Sequence, residues 1–168
     1  MALSAKIAKS IALIQNPSIE MVSKKSISFK LLDSIAVDSA SLMPADVAKI
    51  ILLLNHTEPA VITTAFCFLI CISKNRPDLK RHMMAYAFPQ AVLKLTSLDN
   101  PCIEGALDFL IELLRYNPDV DAITDSLYSN ADVRHTFAII LSHQLPLAEK
   151  IQALISVTSS PDLESVLK

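Results

Sequence analysis

Asn16-Pro17-Ser18-Ile19-Glu20, Glu58-Pro59-Ala60-Val61-Ile62, Asn100-Pro101-Cys102-Ile103-Glu104 and Leu145-Pro146-Leu147-Ala148-Glu149 are four copies of one short pattern. The first three prolines lie 42 residues apart and the fourth follows 45 later. Proline fits the first position of a helix, where the amide has no intrahelical partner, and Asn or an acid suits a helix start. Each copy therefore predicts a helix beginning at its proline. A second series, Asn75-Arg76-Pro77-Asp78-Leu79, Tyr116-Asn117-Pro118-Asp119-Val120 and Ser159-Ser160-Pro161-Asp162-Leu163, recurs at spacings of 41 and 43. Residues 37–43 fill its earlier slot without the proline. A third series marks further starts at Met43-Pro44-Ala45-Asp46-Val47 and Phe88-Pro89-Gln90-Ala91-Val92, with Asn130-Ala131-Asp132-Val133 in the later slot. Three interlocked series with one period define an internal repeat.

Between these marks the apolar spacing is helical. Ala65, Leu69 and Ile72 step by four and three, and Ala106, Leu110 and Leu113 repeat the step 41 residues later. Such a stripe is one face of an amphipathic helix. Each unit reads as a short helix (78–86), a second (89–98) and a longer third (101–116), joined by short connections. Residues 2–14 read as a second helix, and Pro161 to Lys168 would start a new unit. The expectation is one all-α domain over 1–168, with units of roughly 1–43, 44–88, 89–130 and 131–168. Apolar stripes of this kind are buried jointly by stacked neighbours.

These segments resemble an armadillo-type repeat. Phe88-Pro89-Gln90-Ala91-Val92-Leu93-Lys94-Leu95 is similar to that family's second-helix pattern, Ile-Pro-x-Leu-Val-x-Leu-Leu, and Met43 to Ile51 is a weaker copy. Ala65-Phe66-Cys67-Phe68-Leu69-Ile70-Cys71-Ile72 resembles its third-helix pattern, Ala-x-Trp-Ala-Leu-x-Asn-Leu. The resemblance implies a right-handed α-solenoid of about four three-helix repeats. HEAT repeats share the period and stay open as an alternative, although a three-helix unit fits the prolines better. In peptide-binding armadillo proteins of the importin-α type, third helices line a groove with tryptophan and asparagine. Here Cys67 and Asp108 stand at the tryptophan positions, and Cys71 and Glu112 at the asparagine positions. The resemblance therefore argues against a nuclear-import receptor.

Composition narrows the remaining classes. The 168 residues are 52% hydrophobic and contain one glycine, Gly105, nine prolines and no tryptophan. Phosphate-cradling loops, dinucleotide fingerprints and tight hairpins need several glycines, so these are excluded together with a hairpin-rich β fold. Half the chain being apolar, at a net charge of −2, excludes disorder. Mean hydropathy is +0.43, yet the most apolar run, 60–72, falls short of the roughly 20 residues of a membrane span. The N-terminus interleaves lysines with apolar residues and reads as a first helix rather than a signal or transit peptide. Three cysteines, an odd count, suit the reducing cytoplasm or nucleus. Residues 1–84 carry ten Lys/Arg against six Asp/Glu, and 85–168 five against eleven. A basic and an acidic half can serve different partners or head-to-tail association.

By the resemblance, groove-facing positions are Thr63, Cys67, Cys71 and Lys74, then Glu104, Asp108, Glu112 and Arg115 one unit on. Residues four apart share a helix face, so Glu104, Asp108 and Glu112 predict an acidic line suited to a basic peptide. Arg76, Lys80 and Arg81 form a secondary basic junction, without interleaved aromatics for stacking on nucleic acid. Cys67 and Cys71 lack the further ligands of a zinc site. Asp119, Asp121 and Asp125 lack the glycine and closing glutamate of a calcium loop. His56, His82, His135 and His143 fall in different units and form no visible catalytic set. The reading is a non-enzymatic scaffold or adaptor that binds a partner protein or peptide along its third helices, without cofactor or metal. Self-association through exposed solenoid ends, as a homodimer or within a larger chain, is the alternative.

Overall fold

The computed structural model describes residues 2–158, and over these the protein is all-helical. Ten α-helices follow in order: α1 (Leu3–Gln15), α2 (Met21–Val37), α3 (Pro44–Leu52), α4 (Pro59–Asn75), α5 (Lys80–Met84), α6 (Ala87–Lys94), α7 (Ile103–Leu114), α8 (Val120–Tyr128), α9 (Ala131–Ser142) and α10 (Ala148–Thr158). Single 3-10 turns at Ser39–Ser41, Leu53–Asn55 and Pro77–Leu79 link some of them. The expected helices at 2–14, 78–86, 89–98 and 101–116 correspond to α1, to α5 with its leading 3-10 turn, to α6 and to α7. The start expected at Pro161 lies outside the described residues.

The prolines act in two ways, which corrects one expectation. Pro44 and Pro59 are the first residues of α3 and α4, as expected. Pro17, Pro101 and Pro146 are not: asparagine precedes the first two, and α10 begins at Ala148, two residues beyond Pro146. The Asn16 Oδ1 accepts a hydrogen bond from Ser18 N at 2.9 Å, and Asn100 Oδ1 accepts one from Cys102 N at 2.9 Å. Asn117 Oδ1 does the same with Asp119 N at 3.0 Å, across Pro118. Asparagine closing on the amide two residues ahead makes an Asx turn. Each Asn-Pro therefore marks a turn, and the helix begins beyond it. Asn130, with no proline after it, instead caps α9 by accepting from Asp132 N and Val133 N.

Contacts divide the chain into two compact units, 1–87 and 88–168. In the first unit α1 packs on α2 and α3, α2 on α4, and α3 on α4 and α5. The α1 stripe Leu3, Ile7, Ile11 and Ile14 is buried at spacings of four and three. Helix α4 is buried on most of its surface, with Phe66, Phe68, Leu69 and Ile72 fully enclosed. In the second unit α10 packs on α7, α8 and α9, and α8 on α9. Phe109 and Phe137 anchor that core, and Tyr128 meets Phe137 edge-on at 6.2 Å. Ala65, Leu69, Ile72, Ala106, Leu110 and Leu113 are all buried, as their spacing requires.

With one glycine in the chain, other residues take the left-handed conformation that often ends a helix. Tyr116 (φ 55°) follows α7 and Gln144 (φ 49°) follows α9. Gly105 sits inside α7 instead.

Candidate functional site

In the first unit α2 and α4 are the long helices, 17 residues each, and they pack on one another. Thr63, Cys67 and Lys74 of α4 are exposed, and Cys71 is half-buried. Asn75 Nδ2 donates to the Cys71 carbonyl at 2.8 Å and reaches the Cys71 sulfur at 3.6 Å. Burial pushes the Cys71 thiol up, against the smaller opposing effects of Asn75 and Lys74. Among the described residues no group of three His, Cys, Asp or Glu is placed to hold a metal ion.

Helix α2 contributes what the sequence reading missed. Met21, Val22, Phe29 and Val37 are exposed large apolar residues, Phe29 at 66%. Compared position by position with α4, Lys25 matches Thr63 and Phe29 matches Cys67. A groove of about 250 Å³ lies along this pair, bounded by Met21, Lys24, Lys25 and Ser28 on α2 and by Thr63 and Thr64 on α4. Another, of about 340 Å³, lies between α1 and α2 and is edged by Lys6, Lys9 and Lys30. Equal helix lengths rather than the proline register would have found these residues, since α2 begins four residues after Pro17.

In the second unit the acidic line on α7 has an internal counter-charge. Lys150 Nζ of α10 donates to Glu104 Oε1 and to Asp108 Oδ2, each at 2.8 Å. Burial lowers the Lys150 pKa, but the two carboxylates outweigh it and the net shift is upward. Glu104 stays exposed and Asp108 half-buried. Glu112 departs from its expected position: its side chain is 12% exposed, and Arg115 Nη1 contacts Glu112 Oε2 at 3.4 Å. Lys150 was legible in principle, since it stands 42 residues after Asp108 and directly follows the fourth proline motif.

The basic junction is largely used by the fold. Arg76 Nη1 donates to the carbonyls of Ser39, Ala40 and Leu42 at 2.9, 3.3 and 3.2 Å. Its Nε and Nη2 donate to the two Asp78 carboxylate oxygens at 2.9 and 2.8 Å. Hydrogen bonding to Arg76 holds the Asp78 carboxyl below the usual range. Lys80 is buried, and Arg81 alone of these three is exposed. His56 Nδ1 accepts from Glu58 N at 3.0 Å, a local cap ahead of α4. Asp119, Asp121 and Asp125 are exposed around the start of α8.

No helix among the described residues is long and apolar enough to cross a membrane. Comparison with protein-family models, with curated proteins and with solved structures finds no match.

Proposed function

We propose that this chain is a non-enzymatic protein-recognition module, built from armadillo-like repeats in a right-handed solenoid, that binds a partner along its long helices. The architectural part is supported by the packing of α2 on α4 and of α1 on α3, which the repeat reading pairs as corresponding elements. The binding surface of the first unit comprises Cys67, Cys71 and Lys74 on α4 with Met21, Lys25 and Phe29 on α2. On α7, Glu104 and Asp108 offer a second, partly neutralised surface, with Glu112 and Arg115 behind it. The observation that carries the reading is Phe29, an aromatic side chain two-thirds exposed on a helix that also walls a groove. Exposed aromatic groups beside concave, partly apolar surface mark interaction sites. Packed helices hold the groove in shape beforehand, so docking orders little of the receptor.

The test is capture of partners by the full chain, wild type against Phe29→Asp, followed by direct titration of any captured protein in purified form. Phe29 is exposed, so the variant keeps its helical circular dichroism. The reading requires a partner that binds the wild type directly and loses affinity at least about tenfold for the variant, a difference of about 1.4 kcal/mol.

A further inference from the structure

Lys24 is the fourth residue of α2, as Ile62 is of the equally long α4, and Ile103 follows 41 residues after Ile62. All three are buried, Lys24 at 5% exposure. An ammonium thus takes a place that the equally long α4 gives to isoleucine. A charge is tolerated at such a depth when it is paired and hydrogen-bonded. Lys24 is only half provided for. Its Nζ stands 3.6 Å from Glu58 Oε2, beyond hydrogen-bond range, and that oxygen is enclosed without a hydrogen-bond partner.

Lys24 also forms part of the α2–α4 groove, beside Lys25 and the apolar surface of Ile14, Met21 and Val61. The first turns of both helices contribute to this space, through Met21 and Lys24 on one side and Ala60 and Val61 on the other. Helix N-termini favour negative charge. No carboxylate among the described residues lines the groove. Two ammonium groups and two helix starts over an apolar floor are complementary to a single carboxylate carried between apolar neighbours.

We propose that this groove reads an acidic side chain of the docking partner. Its carboxylate accepts hydrogen bonds from Lys24 Nζ and Lys25 Nζ while the flanking apolar residues rest on Met21 and Val61. The proposal rests on the docking reading above and narrows it to the chemistry recognised. It also gives the buried lysine a purpose, since ligand oxygens complete the hydrogen bonding that Glu58 leaves unfinished.

The probe is a capped pentapeptide with one central glutamate between leucines, titrated beside its glutamine twin onto the isotopically labelled full chain. The glutamate peptide is expected to shift amide resonances of residues 21–28 and 60–64, and to bind at least about tenfold more tightly than the twin. The preference disappears in Lys24→Met/Glu58→Gln, which removes both charges together and melts no lower than the wild type. Lys25→Gln, at an exposed position, weakens the glutamate peptide and leaves the twin unchanged. Equal binding of the two peptides in the groove overturns the carboxylate reading and leaves the docking surface standing. Retention of the preference in the double variant overturns it as well. No shift with either peptide overturns both readings, and sodium acetate matching the glutamate peptide overturns a partner side chain in favour of free carboxylates.

Discussion

Ser4 and Asp46, 42 residues apart in sequence, are joined by a hydrogen bond of 2.9 Å from the serine hydroxyl to Asp46 Oδ2. The same carboxylate accepts Met43 N at 2.9 Å, reaching back to satisfy an amide at the start of α3. Asp46 is 1% exposed, so a buried charge is held by an α1 hydroxyl and an α3 helix start. This contact ties α1 to α3 with direction as well as apolar area.

Asp46→Ala strands both donors and removes the helix-start contact. The expected loss is about 2–3 kcal/mol in denaturant unfolding, against about 1 kcal/mol for Ser4→Ala. Because the two residues share one bond, the double variant should lose less than the sum of the single losses. Additive losses would show that Asp46 acts only through Met43.

The Arg76–Asp78 pair predicts an acid-side effect. Hydrogen bonding to Arg76 depresses the folded Asp78 pKa below its ordinary value of 3.8. Its contribution is therefore present above that value and is lost as pH falls through the lower folded value. Asp78→Asn should flatten this part of the acid limb of stability while changing little on the alkaline side. Arg76→Lys, which cannot reproduce the forked geometry, should lower the melting temperature at neutral pH.

Tyr128 predicts the opposite limb. Burial pushes its phenol up to about 12, with nearby Thr158 offsetting part of the rise. Between the ordinary value near 10 and the folded one, the unfolded chain loses a proton that the folded chain keeps, so stability falls as pH rises. The loss attributable to Tyr128 is about 2–3 kcal/mol across that window. Tyr128→Phe should unfold at higher pH, at a cost at neutral pH of no more than about 1 kcal/mol for the lost contact with Thr158.

Lys150 decides whether the α7 acids can serve as a binding surface. Its contacts are substantially exposed, so Lys150→Gln should cost no more than about 1 kcal/mol in stability. The substitution uncovers Glu104 and Asp108, and a short oligolysine peptide should then bind more tightly at low salt. Unchanged binding by calorimetry would remove the acidic line from the candidate surfaces.

The helices were legible because the pattern of apolar residues is physically sufficient. The Ala65-Leu69-Ile72 and Ala106-Leu110-Leu113 steps leave no other way to bury that face. Helix starts were less legible, since proline after Asn16 or Asn100 enters an Asx turn, whereas proline after Glu58 begins a helix. The charged residues were the hardest to read. Glu104, Asp108 and Arg76 look alike as surface charges in sequence, and only their long-range neighbours separate them. Lys24 is the clearest case: nothing beside it in sequence marks a lysine at an apolar position, and comparison of whole helices does.

The most direct test of the central claim compares partner binding by the wild type, Phe29→Asp and Arg81→Glu, with direct titration of each captured protein. A partner lost with Phe29→Asp and retained by Arg81→Glu is the predicted result, because the proposed docking surface lies on α2 and α4. A directly binding partner that Phe29→Asp retains in full, or that only Arg81→Glu loses, would contradict the account.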